Sequence, residues 1–234
     1  MLKVEKINTF YGLSHILHDL SLSVNEGEAV ALLGRNGAGK STTLKTVMGL
    51  IQPESGKILM EDKDITFSET HTVSEKGISW VPEDRQVFTN LTVLENLKIS
   101  RIPIDGGKDI DTHLDWIFSL FPRLKERINN KGNQLSGGEQ QMLTIARGLG
   151  SEPRLMLIDE PTEGLMPAYV ETIGNVLEEI KNKGIAIILV EQNFKMALNI
   201  TARAYLIEKG IIRWEGKSKE LLANEETRMR YLGV

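Results

Sequence analysis

The nine residues from Gly34 to Thr42 constrain the fold of this 234-residue chain more than any other feature. They read GRNGAGKST, which matches the pattern G-x-x-x-x-G-K-[ST] of a loop that binds phosphates. Glycines let the backbone turn tightly, so that successive N–H groups point into one concavity. Lys40 adds positive charge for the outer phosphates, and the Ser41 hydroxyl is a suitable Mg²⁺ ligand. The loop therefore predicts a site for a nucleoside triphosphate.

The residues on either side of this loop support that prediction. Residues 28–33 form a short apolar run that predicts a buried strand before the loop. After the loop, four apolar residues recur at the spacing of one helix face: Leu44, Val47, Met48 and Ile51. This order places bound phosphates at the positive end of a helix dipole. A chance match is the alternative, and a dinucleotide site is disfavoured because Asn36 stands where G-x-G-x-x-G needs its second glycine.

Composition excludes several classes of protein. The net charge of −4, without a basic stripe, makes nucleic acid a poor partner. The chain has no cysteine, which excludes disulfides and thiolate metal sites. Its first residues lack the apolar core of a signal peptide, and its longest apolar runs, such as 185–190, are far shorter than a bilayer span. We expect a soluble, intracellular protein whose membrane role, if any, comes through a partner.

The order of predicted elements indicates an α/β fold. Residues before the phosphate loop predict β structure, and residues 155–158 and 185–190 predict buried strands separated by a helix. Such alternation favours a mostly parallel sheet with helices on both faces. From about 91 to 149 the composition becomes helical, with a polar loop at 103–111 and one amphipathic helix across 114–124. We interpret 91–149 as a helical subdomain inserted within a single domain of residues 1–234.

Two acids follow the predicted strand at 155–158. Ligands bind beyond the carboxyl ends of parallel strands, where Asp159 could hold the Mg²⁺ whose other ligand is Ser41. Glu160 could then orient an attacking water or accept its proton. An acidic pair after a strand is often only a solvated turn, but the phosphate loop favours the catalytic interpretation.

Two further features allow more than one interpretation. Ser136 and Glu139 form a predicted capping box, which leaves Gly137 and Gly138 unexplained because glycines weaken a helix start. Glycines at a helix N-terminus let the backbone approach an anion closely, and both interpretations can hold together. Tyr11 could stack on a purine base, or it could be an ordinary core or edge tyrosine.

With these motifs in hand, the chain resembles the ATP-binding subunits of ABC transporters over essentially its whole length. Residues 34–42 look like the Walker A loop, 135–141 like the LSGGQ-type signature and 155–160 like Walker B. The resemblance implies a P-loop NTPase core with an N-terminal antiparallel β part, ATPase activity, and ATP and Mg²⁺ as ligands. In this family two subunits enclose ATP, so that the signature of one serves the γ-phosphate bound by the other.

The resemblance also implies a set of site residues. Those expected to contact ATP are Tyr11, Gly34, Arg35, Asn36, Gly37, Ala38, Gly39, Lys40, Ser41, Thr42, Ser136, Gly137 and Gly138. Those expected to hold the metal are Ser41, Glu83 and Asp159, and those expected to act in catalysis are Glu160 and Gln192.

Three positions depart from the general family pattern. Glu83 replaces the Q-loop glutamine, Gln192 the switch histidine and Met166 the D-loop aspartate. Glutamine cannot take up a proton as imidazole does, so the general-base role shifts to Glu160. Glu83 can still offer oxygen to Mg²⁺ but adds negative charge, which Arg85 is close enough in sequence to offset. Met166 cannot make the polar contact between subunits that an aspartate would.

These departures resemble the LivF-type ATPases of branched-chain amino-acid importers, and the ATPases of urea and short-amide importers share many of them. The resemblance implies permease subunits, a second identical or related ATPase and, indirectly, a solute-binding protein as partners, with no nucleic acid. It implies a cytoplasmic location, attached to the inner face of the membrane through the permease. Val87, Phe88 and Leu91 could contact the permease or belong to the core. A non-transport ABC ATPase and a P-loop kinase remain alternatives, the kinase being disfavoured by Ser136–Glu139 and the acid pair.

Overall fold

A computed structural model describes residues 1–100 and 109–233 of the chain. Its strands are β1 Leu2–Tyr11, β2 Ser14–Val24, β3 Ala29–Leu33, β4 Ser55–Met60, β5 Lys63–Asp64, β6 Ile78–Val81, β7 Leu155–Asp159, β8 Ala186–Val190, β9 Arg203–Glu208 and β10 Ile211–Lys217. Its α-helices are α1 Lys40–Val47, α2 Thr70–Glu75, α3 Val93–Ser100, α4 Ile110–Leu120, α5 Pro122–Glu126, α6 Gly137–Gly148, α7 Pro167–Asn182, α8 Phe194–Ile200, α9 Ser218–Ala223 and α10 Glu225–Tyr231, with a 3₁₀ turn at Gly132–Gln134.

The larger sheet has the strand order β10-β9-β3-β8-β7-β6. All neighbouring strands from β9 to β6 are parallel, and β10 is an antiparallel edge. Strands β3, β7 and β8 are buried along their whole length, as their continuous apolar runs predict for a sheet covered on both faces. The mostly parallel sheet is therefore confirmed, and the carboxyl ends of β3, β7 and β8 lie along one edge.

Alternate residues of the central strands enter two separate cores. On β3, Ala31 and Leu33 pack with the helices, whereas Val30 and Leu32 pack against the smaller sheet and α1. The smaller sheet is antiparallel with the order β2-β1-β4-β5. The N-terminal antiparallel β part is thus confirmed, and it covers the face of the main sheet that carries the phosphate-loop helix.

The described residues between 93 and 148 form α3 to α6, but the predicted single helix across 114–124 is wrong. Helix α4 ends at Leu120, and Pro122 begins α5, because proline has no N–H to continue the first helix and suits the start of a second. Residues 103–108 of the predicted polar loop lie outside the described residues. Its last two residues, Ile110 and Asp111, belong to α4, which Asp109 caps by accepting from the N–H of Asp111 at 3.1 Å. The subdomain and single-domain boundaries stay predictions.

Helix α1 is also shorter than predicted. It ends at Val47, and Gly49 adopts a left-handed φ of 75°. The N–H of Gly49 donates to Thr46 and that of Leu50 to Lys45, at 3.1 and 2.9 Å, which is the hydrogen-bond pattern of a Schellman cap. The glycine at this position therefore ends the helix, and Ile51 lies beyond it although its spacing fits the same face.

Candidate active site

The phosphate-binding loop connects the buried strand β3 to helix α1. Gly37 and Gly39 have φ values of 76° and 110°, in the left-handed region that residues with a side chain rarely adopt. Gly34 has no room for a side chain, because a Cβ there would lie 2.4 Å from the carbonyl oxygen of Ile207. The conformation of the loop therefore requires glycine at all three positions.

A cavity of about 350 Å³ opens beside this loop. Its lining comes from widely separated parts of the sequence: Tyr11, Ile16, Asn36, Gly37, Gly39, Lys40, Ser41, Thr42, Glu83, Glu160, Glu163 and Gln192. Most of the predicted site residues are thus brought together by the fold. Gly34 and Arg35 line a neighbouring cavity of about 330 Å³, which Asn36 and Gln192 also line, and Ala38 is buried.

Tyr11 lies at the mouth of the first cavity. It is the last residue of β1, and 48% of its surface is exposed. That exposure rules out a core tyrosine and leaves an aromatic face available to a ligand in the cavity. Stacking on a purine base stays a prediction that agrees with this position.

Lys40 is the buried cation of the site. Its side chain is 4% exposed, and Nζ donates to the carbonyl oxygen of Gly34 at 3.1 Å. The same Nζ lies 3.2 Å from Oε1 of Glu160. A buried lysine needs such a counter-charge, so Lys40 links the phosphate loop to Glu160, the residue that directly follows β7.

Asp159 is the last residue of β7 and lies directly behind the phosphate loop. Its side chain is almost fully buried, and Oδ1 accepts a hydrogen bond from the hydroxyl of Ser41 at 3.1 Å. Burial raises the pKa of Asp159 to about 6, the hydrogen bond from Ser41 opposes the rise, and the charges of Glu160 and Glu83 add to it. A bound cation would favour the ionised form of this carboxylate.

The oxygen ligands around Ser41 fit a Mg²⁺ ion. A hydroxyl and carboxylates are the ligands that this hard cation prefers, and Ser41 and Asp159 are already in contact. Glu83 lines the same cavity, and one carboxylate oxygen from each of Glu83, Glu160 and Glu163 lies within 4.8 Å of the others. The metal assignment of Ser41, Glu83 and Asp159 stays a prediction with a suitable set of donors.

Glu160 stands at the junction of two strands. Its φ of 44° is unusual for a residue with a side chain, and its N–H donates to the carbonyl of Val190, the last residue of β8, at 2.9 Å. Its carboxylate contacts both Lys40 and the side-chain amide of Gln192, whose Nε2 lies 2.5 Å from Oε2. The fold therefore holds the predicted catalytic carboxylate between a cation and an amide.

Glu160 and Glu163 form a coupled acid pair. Burial alone would raise the pKa of Glu160, but hydrogen bonds from Glu163 and Gln192 and the charge of Lys40 outweigh it, so the pKa is lowered. The hydrogen bond with Glu160 raises the pKa of Glu163 to about 7, with smaller contributions from burial and from the charge of Glu160. The two carboxyl groups therefore titrate as a pair, in which Glu160 ionises at lower pH than Glu163.

Sequence reasoning missed Glu163 and Glu191. Glu191 is buried at the end of β8 and accepts hydrogen bonds from the N–H and hydroxyl of Thr162, at 2.9 and 2.7 Å. It also accepts from the N–H groups of Gln192 and Asn193, and burial raises its pKa against these bonds. An acid directly after an apolar strand identified Asp159, and the same signal after β8 would have identified Glu191.

The predicted signature residues lie outside this cavity. Ser136 caps α6, and the capping box is present, with the Ser136 N–H donating to Glu139 at 2.8 Å and the Glu139 N–H donating to Ser136 Oγ at 3.3 Å. The described part of the chain thus does not bring Ser136, Gly137 or Gly138 to its own phosphate loop. Their action on a nucleotide held by another subunit stays a prediction.

Comparison with known proteins identifies the family. A family model described as "ABC transporter" matches residues 17–163, which include the phosphate loop, Ser136–Glu139 and Asp159–Glu160. The chain belongs to the ABC transporter family. It is an ATP-binding ATPase subunit of that family.

Three curated relatives show how similar the sequence of this chain is to those of other family members. It is 43% identical to the high-affinity branched-chain amino acid transport ATP-binding protein BraG of Pseudomonas aeruginosa, over 100% of both chains. It is 36% identical to a probable branched-chain amino acid transport ATP-binding protein, LivF, of Archaeoglobus fulgidus, over 100% of this chain and 99% of the relative. It is 32% identical to the lipopolysaccharide export system ATP-binding protein LptB of Haemophilus influenzae, over 100% and 97%.

Solved structures agree with the family and the fold. An ATP-binding cassette of an ABC transporter superposes with a TM-score of 0.87 at 28% identity, covering 98% of this chain and 96% of that one. A dimeric, post-hydrolysis cassette bound to ADP and Pi superposes with a TM-score of 0.81 at 25% identity, covering 93% and 99%. The α/β P-loop NTPase fold predicted for the cassette is therefore confirmed.

Proposed function

We propose that this chain is the ATPase subunit that powers an importer of branched-chain amino acids. Full-length identity of 43% and 36% to two proteins named for branched-chain amino acid transport supports this solute class over lipopolysaccharide export, whose ATPase is 32% identical. Glu83, Met166 and Gln192 are the departures from the general family pattern that favour the same branch.

We propose that ATP binds with its base against Tyr11 and its phosphates in the loop that ends at Lys40. Ser41, Asp159 and Glu83 would hold Mg²⁺, which neutralises phosphate charge when bound. The donor set and the shared cavity described above support this arrangement.

The observation that carries the proposed chemistry is the contact of Glu160 with both Lys40 and Gln192. Without nucleotide, Lys40 pairs with Glu160 and lowers its basicity. A terminal phosphate would compete for the same ammonium group, and Glu160 would then become a stronger base for the attacking water. Gln192 cannot take up or release a proton near neutral pH, so its amide would orient Glu160 and donate a hydrogen bond to phosphate.

A second ATPase subunit would complete the site. Ser136, Gly137 and Gly138 lie outside the chain's own cavity, which agrees with service to a nucleotide on a partner. That partner would be a second copy or a related chain. Closure of the pair on ATP and its reopening after hydrolysis would move the permease.

A groove beside Phe88 is the candidate docking surface for the permease. Phe88 is 45% exposed with the Arg147 guanidinium 4.5 Å from its ring centre, whereas Val87 and Leu91 are partly buried. The adjacent groove of about 260 Å³ contains Trp80 and Arg147, and Trp80 Nε1 and Arg147 Nε have no hydrogen-bond partner among the described residues. No helix within residues 1–100 and 109–233 is long and apolar enough to cross a membrane.

The test is reconstitution of the chain with the permease and solute-binding proteins that co-purify with it. ATP hydrolysis in proteoliposomes should rise when the solute-binding protein carries leucine, isoleucine or valine, and a Glu160→Gln subunit should abolish the rise. Stimulation by urea or a short amide instead would move the chain to that importer class. Co-purification with nucleic acid, or with no membrane protein, would contradict an importer role.

A further inference from the structure

Side chains from elsewhere in the chain occupy the space beside the two signature glycines. A Cβ on Gly138 would lie 2.5–2.6 Å from three ring carbons of Tyr169, and a Cβ on Gly137 would lie 2.6 Å from Nη1 of Arg85. No real Cβ approaches an aromatic ring that closely, so the ring of Tyr169 requires glycine at position 138. Packing within the subunit therefore explains Gly138 independently of any anion, whereas the Arg85 side chain beside Gly137 can move aside.

Tyr169 also reaches the signature serine. Its hydroxyl oxygen lies 3.3 Å from Oγ of Ser136, and that Oγ already accepts the N–H of Glu139 at 3.3 Å. A serine hydroxyl accepts two hydrogen bonds and donates one. If Tyr169 donates, both acceptor positions of Oγ are used and the serine proton is left free.

We propose that Tyr169 is a positioning residue for Ser136. Its hydroxyl donates a hydrogen bond to Oγ and fixes the rotamer of Ser136, so that the single Ser136 proton is directed to the terminal phosphate of the nucleotide held by the partner subunit. The inference rests on the proposed function, in which the signature serves the other subunit's ATP. Tyr169 does not itself touch the nucleotide in this arrangement.

A second contact connects the same two segments. Arg85 Nη2 donates to the carbonyl oxygen of Glu163 at 3.1 Å, while the other end of its guanidinium lies against Gly137. Tyr169 lies in the first turn of α7, which follows Glu160 and Glu163 in sequence. The signature loop is thus attached at two points to the segment that begins with the subunit's own catalytic carboxylate.

Tyr169→Phe isolates the hydroxyl, because it keeps the ring against Gly138. We expect kcat for ATP hydrolysis to fall about 3- to 10-fold, the effect of one hydrogen bond, with KM for ATP changed less than about twofold. Ser136→Ala should lower kcat at least as much, and the double variant should equal Ser136→Ala alone because both changes remove the same interaction. Tyr231→Phe, which removes a phenol hydroxyl on α10, should leave both parameters unchanged.

The packing of the ring has its own test. Gly138→Ala should lower the thermal midpoint of unfolding in the wild-type background, because its Cβ would overlap the ring, and should lower it much less in a Tyr169→Ala background. This measurement needs no activity and reports whether the contact exists in the folded protein.

The outcomes separate the inference from the proposed function. Wild-type turnover by Ser136→Ala would contradict the role of the signature in hydrolysis, and with it both proposals. Loss of turnover in Ser136→Ala with an unchanged Tyr169→Phe, or with losses that multiply in the double variant, would overturn the role of Tyr169 alone. An equal loss from Gly138→Ala in the wild-type and Tyr169→Ala backgrounds would contradict the ring contact.

Discussion

The Asp159→Asn variant measures how much the buried, ionised carboxylate of Asp159 destabilises the folded protein before nucleotide binds. Asp159 is 2% exposed, and burial raises its pKa from 3.8 to about 6. A carboxyl group whose folded-state pKa lies above its unfolded value adds stability below the unfolded pKa. That stability is lost as the pH rises through the folded-state pKa. The relevant window therefore runs from 3.8 to about 6.

The rise in the pKa of Asp159 sets the expected loss of stability. It corresponds to about 3 kcal/mol in the free energy of unfolding once the carboxylate is fully ionised. Asparagine keeps the Oδ1 acceptor for Ser41, which lies at 3.1 Å, so the variant loses the charge without losing the hydrogen bond. We expect the free energy of unfolding of Asp159→Asn, relative to wild type, to increase by about 2.5 kcal/mol between about pH 4 and about pH 7.

The assay is urea unfolding at several pH values, without nucleotide and with a metal chelator. Glu28→Gln is an opposite-sign control. Although burial would raise the pKa of Glu28, hydrogen bonds from Arg203 and Asn25 lower it. Its contribution therefore appears as the pH rises, and its removal should cost more at higher pH. In a separate measurement without the chelator, added Mg²⁺ and ATP should stabilise wild type more than Asp159→Asn. Parallel stability curves for Asp159→Asn and wild type would refute the reasoning.

Three further predictions concern the hydrogen bond from Gln192 to Glu160, the stacking of Tyr11 on the nucleotide base and the glycine that ends helix α1. Gln192→Ala should lower steady-state ATP turnover less than Glu160→Gln, because Gln192 is not a base; equal losses would contradict this order. Tyr11→Ala should weaken binding of ATP, measured by calorimetry, more than binding of inorganic triphosphate, and an equal effect on both would exclude base stacking. Gly49→Ala should cost about 1–3 kcal/mol in thermal unfolding because of its left-handed φ, whereas Gly174→Ala, with ordinary space around it, should not; similar values would count against the cap.

Sequence patterns predicted the parts of the site that are local in the chain. The phosphate loop is recognisable because its glycines, Lys40 and Ser41 lie within the short segment 34–41 and each has a separate chemical reason. The acids Asp159 and Glu160 are recognisable because they directly follow a buried strand of a parallel sheet. The sheet itself was predictable because buried parallel strands are continuous apolar runs.

The parts that depend on distant contacts were not predictable. Nothing in the sequence places Tyr169 against Gly138, because that contact joins α6 to α7 across the fold. The contact of the Gln192 amide with both Glu160 and Glu163 likewise depends on how the fold places these three side chains. The spacing of apolar residues also predicted two helices that extend beyond their observed ends. At both ends, a single glycine or proline decides the boundary more strongly than the apolar spacing does.

The central claim is that Glu160 is the general base of a site whose phosphates are held by Lys40. Glu160→Gln tests it most directly, because it removes the base while nearly preserving shape. We expect steady-state ATP turnover to fall by about 10²- to 10⁴-fold, the usual contribution of a general base, while ATP affinity is retained. Glu163→Gln, an equivalent change at an acid that does not pair with Lys40, should lose far less. Near-normal hydrolysis by Glu160→Gln would contradict the account.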